Sequence, residues 1–213
     1  MIVLSGTIGA GKTSLTTMLA EHLGSDAFYE SVDDNPILPL FYEDPQRYGF
    51  LLQNYFLNKR LENIKDARVQ KLNIIDRSIY EDRLLFQLNA DLNRATQTEA
   101  EIYADLLNNM MEKIESSTEQ KDPDLLIHIS VSFDKMLERI KKRGRDFEQL
   151  DNDSSLFEYY KELNQRYTDW FEAYDRSPKL QINGDEYDFV EDPKAREEVL
   201  AIIDAELEKL NLR

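Results

Sequence analysis

The sequence predicts an α/β fold in which a five-stranded parallel sheet is flanked by helices and built around a phosphate-binding loop. Two observations predict it. An apolar start, Met1-Ile-Val-Leu, leads into Gly6-Thr-Ile-Gly-Ala-Gly-Lys-Thr13, the pattern that needs a buried strand before it and a helix after it. Short apolar runs then recur at residues 2–4, 27–29, 72–75, 125–129 and 180–182, with helical periodicity between them. With 213 residues, the chain is expected to form a single domain over 1–213. Ligands of such sheets sit at the carboxyl ends of the strands, which directs attention to Gly6, Glu30, Asp76-Arg77 and Asn183-Gly184.

The first element is the loop itself. Gly6, Gly9 and Gly11 allow tight turns and close approach of the backbone to a phosphate. Free N–H groups at the start of the following helix favour an anion. Residues Gly6, Thr7, Ile8, Gly9, Ala10, Gly11, Lys12, Thr13 and Ser14 are therefore expected to hold a nucleoside triphosphate, ATP in the first instance. Lys12 reaches the terminal phosphates, and the Thr13 hydroxyl is a hard ligand for Mg2+. The helix after the loop carries Leu15, Met18, Leu19 and Leu23 on one face.

Glu30 follows the second apolar run. A carboxylate there can accept a proton from an attacking hydroxyl, although spacing alone favours an exposed loop acid. Residues 45–67 read as one long helix with Phe50, Leu57, Leu61 and Ile64 along its stripe. Gln53 and Arg60 fall on or beside that stripe, where they either find buried partners or merely edge it. Asp76-Arg77 closes the third run. Asp76 can hold Mg2+ opposite Thr13 and Arg77 can hold a phosphate or a carboxylate, or the two form a structural ion pair.

Thr98-x-x-Glu101 predicts a capping box for a helix running towards Ile114, and residues 119–123 read as a polar connection. Ser132 is the expected N-cap of a helix with Met136, Leu137 and Ile140. Arg139, Arg143 and Arg145 end that helix, either as a solvated basic face or as a lid that neutralises transition-state charge on a triphosphate. The stripe Leu156, Tyr160, Leu163, Tyr167, Trp170 and Tyr174 reads as core or subunit interface. Asp192-Pro193 opens the last helix, with Val199, Ile202 and Ile203 inward. His22 and His128 are each assigned to structure, with no His or Cys set of metal-ligand spacing.

Composition narrows the partners. Lys and Arg number 26 against 42 Asp and Glu, a net charge of −16 that repels nucleic acid polymers and anionic membranes. There is no cysteine, so thiol and disulfide chemistry are excluded. No apolar run approaches a membrane span. The loop strand starts at residue 2, so no leader peptide and a cytoplasmic location are expected.

With these residues collected, the chain resembles the deoxyribonucleoside kinases, above all the bacterial deoxyadenosine/deoxyguanosine kinase type, from residue 1 to about 190. The resemblance rests on the phosphate loop, Tyr29-Glu30, Phe41-Tyr-Glu-Asp-Pro45, Gln53 with Arg60, Asp76-Arg-Ser78 with Asp82, and Arg139-x-x-x-Arg143-Gly-Arg-Asp-Phe-Glu148. It implies a P-loop kinase fold with an arginine-rich lid made by Arg139, Arg143 and Arg145. It implies that Glu30 contacts the substrate 5′-hydroxyl as general base and that Arg77 holds Glu30. Asp76 matches the acid placed near Mg2+, sometimes named the proton acceptor, and both carboxylates stay in play here. Tyr42 and Glu148 match the pair on the sugar 3′-hydroxyl, and Gln53, Arg60 and Asp82 match the base-reading group. It also implies a homodimer, or a heterodimer with a related subunit. Phe56, Phe147 and Asn35 depart from the pattern of some relatives and leave the base open.

The expected function is transfer of the γ-phosphoryl of ATP to the 5′-hydroxyl of a purine deoxynucleoside for nucleotide salvage, with deoxyadenosine first, deoxyguanosine second and deoxycytidine third. Gln53 offers a bidentate donor and acceptor for adenine, while a thymine methyl would meet charged groups. A nucleoside monophosphate kinase is the alternative enzyme, and a non-catalytic nucleotide sensor the alternative from another class. A GTPase switch needs Asn-Lys-x-Asp, and Asn58-Lys-Arg-Leu61 fails at its last position.

Overall fold

The computed structural model describes residues 1–30, 32, 35–117 and 122–213, and the side chains at 114–117 are left aside. Five strands form one parallel sheet: β1 Ile2–Gly6, β2 Ala27–Phe28, β3 Ile74–Asp76, β4 Leu125–Ser130 and β5 Lys179–Asn183, in the order β2-β3-β1-β4-β5. The helices are α1 Lys12–Leu23, α2 Leu38–Glu43, α3 Pro45–Ala67, α4 Asp82–Asp91, α5 Gln97–Ser117, α6 Phe133–Arg143, α7 Leu156–Ala173 and α8 Pro193–Lys209. Val3 of β1 lies opposite Ile75 on one side and Leu126 on the other. Because β1 is central and both of its faces are covered, it is apolar without alternation.

Ile2, Leu4, Leu125 and Ile127 pack with Leu15, Met136 and Val199 of α1, α6 and α8. Val3, Ile75 and Leu126 pack on the other face with Leu57, Leu61 and Ile64 of α3, Phe86 of α4 and Tyr103 of α5. Leu57 is 1% exposed, so trimming it to alanine would cost about 2–5 kcal/mol. The α7 stripe is core: Tyr160, Leu163, Tyr167 and Tyr174 are buried, with Trp170 half-buried. Among the described residues no helix is long and apolar enough to cross a membrane.

Several expectations are corrected in detail. The α5 capping box is Thr96-x-x-Glu99, two residues earlier than expected. Thr96 N–H donates to Glu99 at 2.8 Å and Glu99 N–H donates to Thr96 Oγ1 at 3.1 Å. Two overlapping Thr-x-x-Glu frames occur there, and the helix starts on the first. The third strand begins at Ile74, not 72, because Leu72 sits at φ 68°, in the left-handed region of a turn. It runs on to Asp76, so this acid is the last strand residue. Tyr29 lies beyond β2, and Ile202 is only half-buried. Ser132 and Asp192 cap α6 and α8 as expected. Of the polar connection at 119–123, residues 119–121 lie outside the described residues.

Candidate active site

β1 ends at Gly6, whose φ of 142° is open to glycine, and a Cβ there would stand 2.7 Å from the Ile129 carbonyl oxygen. The loop turns into α1, whose N-terminus has no side-chain cap and no acid in its first turn. The free amides of that turn suit an anion. Lys12 donates to the Gly6 and Thr7 carbonyls, both at 2.9 Å. Burial, then Arg77, lowers its pKa to about 8 against the opposing pull of Asp76 and Glu81. Thr13 Oγ1 donates to Asp76 Oδ2 at 2.5 Å. The other oxygen, Asp76 Oδ1, is buried and has no hydrogen-bond partner. A hydroxyl beside a carboxylate with an oxygen to spare, next to a phosphate loop, is a donor set that fits Mg2+.

Glu30 lines the same cavity as the loop. It is not an exposed loop acid: its side chain is 20% exposed and pairs with Arg60 and Arg77, whose Nε lies 3.1 Å away. Burial would raise its pKa, but Arg77 and then Arg60 outweigh burial and hold it at about 2. Arg60 also pairs with Asp82 at 2.6 Å, and Asp82 accepts from Tyr103 at 3.0 Å. Arg60 therefore does not merely edge α3; it is 5% exposed, between two carboxylates. Arg77 Nη1 reaches the Tyr167 hydroxyl at 3.0 Å.

Two chambers meet at this point. The larger, about 810 Å³, is lined by the phosphate loop, Asp76, and Arg139, Arg143 and Arg145. The smaller, about 210 Å³, is lined by Tyr42, Gln53, Phe56, Arg60 and Glu148 among others. Ile8, Glu30, Val32 and Arg77 line both. Tyr42 stacks on Phe147 with ring centroids 4.2 Å apart. Asp82, fully buried behind Arg60, does not line the chamber, so any reach towards a ligand runs through Arg60.

The three arginines of the α6 end do not stand as one solvated face. Arg139 donates to Ala10 at 3.1 Å and to Gly184 at 2.7 Å, tying the phosphate loop to the turn after β5. Arg143 pairs with the buried Glu148, and Arg145 lies 3.5 Å from the same carboxylate. Glu148 thus links Arg143 and Arg145 to the smaller chamber.

The deoxynucleoside kinase profile matches residues 2–208. The chain belongs to the deoxynucleoside kinase family. It is 58% identical over 200 residues to the deoxyguanosine kinase of Lactobacillus acidophilus, covering 94% of this chain and 87% of that one. It is 56% identical over 210 residues to the deoxyadenosine kinase of the same organism, covering 99% and 97%. The solved structure of deoxyadenosine kinase from M. mycoides with bound dCTP superposes with a TM-score of 0.77 at 28% identity, covering 96% of this chain and 100% of that one. The fold is that of the P-loop kinases.

Sequence reasoning missed several residues around this kinase site. Asp188, Val190 and Glu191 line the larger chamber, whereas Asn183-Gly-Asp185 serves the turn at the end of β5. There Gly184 N–H donates to Ser130, and Asp185 accepts from Ser132 N–H. Asn89 and Arg94 line the smaller chamber, the latter with its guanidinium 4.7 Å from the Tyr159 ring centroid. Glu81, fully buried, lies behind Arg77. Its signal was present as Ser78-x-x-Glu81, a capping box at the end of a buried strand. His128 is structural, bonded to Ser5 at 2.8 Å and stacked on Phe171.

Proposed function

We propose that this deoxynucleoside kinase transfers the γ-phosphoryl of ATP to the 5′-hydroxyl of a purine deoxynucleoside, giving a 5′-monophosphate for salvage. The order of preference is deoxyadenosine, then deoxyguanosine, then deoxycytidine. The observation that carries the reading is the junction: Glu30 and Arg77 line both the phosphate chamber and the smaller one, where Tyr42, Phe56 and Phe147 stand beside Gln53 and Arg60. An acceptor alcohol in one chamber and a triphosphate in the other would meet at the Glu30 carboxylate.

The smaller chamber takes the nucleoside. Gln53 and Arg60 read the base, with Asp82 holding Arg60, while Tyr42 and Glu148 take the sugar 3′-hydroxyl. The loop from Gly6 to Ser14 holds the phosphates, with Lys12 on the terminal ones. Thr13 and Asp76 would hold Mg2+, which when bound would supply charge neutralisation on the phosphates. The 5′-oxygen forms a bond to the γ-phosphorus as the bond to the bridging oxygen of ADP breaks, and the 5′ proton passes to Glu30, with Asp76 as the other candidate acceptor. A carboxylate held at about 2 is a weak base, so the proton moves late, once the new P–O bond has made the oxygen acidic. Arg143, with Arg139 and Arg145, stabilises the transferring group and excludes water.

Residues 1–213 work as one domain, and the enzyme acts as a cytoplasmic dimer, a homodimer or one with a related subunit. The relatives named deoxyguanosine kinase and deoxyadenosine kinase support the purine preference. The test is ADP formation from ATP and Mg2+ with each of the four deoxynucleosides and their 5′-monophosphates. Turnover with deoxyadenosine or deoxyguanosine is expected. Turnover with monophosphates alone would move the protein to the monophosphate kinases, and none with any acceptor would leave a sensor.

A further inference from the structure

The β1–β3 ladder breaks off in an informative way. The Ile2 N–H donates across to the Asn73 carbonyl at 2.8 Å, and the register ends with Leu4 opposite Asp76. Donors towards β3 recur every second residue, so Gly6 N–H faces the place a residue-77 carbonyl would take if β3 continued. It does not continue. Arg77 sits at φ 108°, outside the range L residues favour, and turns the chain out of the sheet. Such a conformation persists only where its surroundings hold it.

Glu81 supplies the missing acceptor. Its Oε1 accepts from Gly6 N–H at 3.0 Å, and its Oε2 accepts from Ser78 N–H at 2.8 Å. The residue is 0% exposed and lines neither chamber. Burial pushes its pKa up, and Arg77, Lys12 and the two N–H groups bonded to its oxygens oppose that. Tyr167, which receives Arg77 Nη1, also faces Glu81. One carboxylate thus touches the first residue of the phosphate loop and the backbone immediately after the arginine that holds Glu30.

Resting on the kinase reading above, we propose that Glu81 is a positioning residue for phosphoryl transfer. It locks the phosphate loop and the Arg77–Glu30 pair in one register, so that the two chambers stay aligned across the bond to be made. It touches neither reactant and acts through Gly6 and Arg77. Glutamine cannot replace it, because the two N–H groups meet different oxygens and the amide NH2 that takes the place of one of them donates and cannot accept, so one N–H loses its partner. Aspartate, one methylene shorter, cannot span both.

The test compares wild type with Glu81→Gln and Glu81→Asp. Glu81→Gln is expected to lower kcat about 100-fold, the cost of misplacing reacting groups by about 1 Å. KM for ATP and for the deoxynucleoside should stay within about 3-fold, because each chamber keeps its own contacts. The acid limb of the kcat–pH profile should remain, since Glu81 takes no proton. Amide hydrogen exchange in the free protein should accelerate more than ~10-fold at whichever of Gly6 and Ser78 is left facing the amide NH2, but not at Val3 and Leu4. In Glu81→Asp, which serves if the glutamine variant does not fold, exchange should accelerate at only one of the two amides. The inference is overturned by a kcat within ~3-fold of wild type, by a loss that merely tracks the folded fraction, by a vanished acid limb, or by unchanged exchange at both Gly6 and Ser78. If wild type phosphorylates no deoxynucleoside, the kinase reading fails, and the exchange measurement still decides whether the clamp exists.

Discussion

Replacing Glu30 with glutamine tests the junction of the two chambers through stability and rate together. Burial raises the Glu30 pKa, but Arg77 and Arg60 bring it from 4.5 to about 2. The folded protein therefore keeps this carboxylate ionised while the unfolded chain takes up a proton as the pH falls through 4.5. The contribution is fully present above that pH and is lost as the pH falls through about 2. The gap corresponds to about 3.4 kcal/mol at pH 7 and about 2 kcal/mol at pH 3.5. Glutamine keeps the shape but leaves two guanidiniums with side chains 6% and 13% exposed facing each other without their shared anion. A loss of about 3 kcal/mol at pH 7 is expected, a fall in Tm of about 6–12 °C for a chain of this length. If Glu30 is the proton acceptor, as proposed above, the variant should lower kcat by about 10²–10⁴-fold. Urea denaturation of both proteins at pH 7 and pH 3.5, with ADP release at pH 7, measures all three quantities. The reasoning is refuted if the variant is as stable as wild type at pH 7, if the stability gap widens as the pH falls, or if kcat barely changes.

Chelation with EDTA should abolish turnover and added Mg2+ should restore it, while Asp76→Asn should raise the Mg2+ needed for half-maximal rate by about 10–100-fold. If Tyr42 and Glu148 hold the 3′-hydroxyl, wild type should prefer a deoxynucleoside to its 2′,3′-dideoxy analogue, and Glu148→Gln should shrink that preference in kcat/KM by about 10-fold or more. His128 is held at about 4 by burial and then by Lys12, against 6.5 in the unfolded chain. Its contribution is complete above pH 6.5 and falls as the pH drops, by about 2 kcal/mol at pH 5. His128→Gln should flatten that part of a stability–pH curve from urea melts. Gly6→Ala would force a Cβ to 2.7 Å from the Ile129 carbonyl at φ 142°. It should cost about 2 kcal/mol or more and erase the heat of ATP binding in calorimetry.

Much of this site was legible because its signals are local. The phosphate loop needs glycines, a lysine and a threonine in one contiguous stretch, flanked by a buried strand and a helix, and all of that is written in residues 2–23. Strands β1 and β4 were legible because a parallel sheet covered on both faces demands unbroken apolar runs, whereas the edge strand β5, Lys179-Leu-Gln-Ile-Asn183, alternates and shows only a short signal. Helix α3 was legible from Pro45 to Ala67 because its stripe repeats for 23 residues. Local signals failed where two frames competed, as in the Thr-x-x-Glu pair before α5, and where a strand ended against a turn, as at Leu72.

What only the tertiary structure decided concerns partners far apart in the chain. Glu30 by itself reads as a loop acid; it becomes a buried carboxylate only when α3 brings Arg60 and the end of β3 brings Arg77 against it. Arg139 by itself reads as one of three basic residues, yet it spends two donors on the Ala10 and Gly184 carbonyls. Glu81 reads as the second half of a local cap until the early end of β3 places Gly6 N–H before it, 75 positions away in the chain. Spacing along a helix or strand determines which face a side chain takes, because the backbone repeat is fixed. Which charge meets which depends on how sheet and helices pack, and a buried charge takes its state and its use from those neighbours.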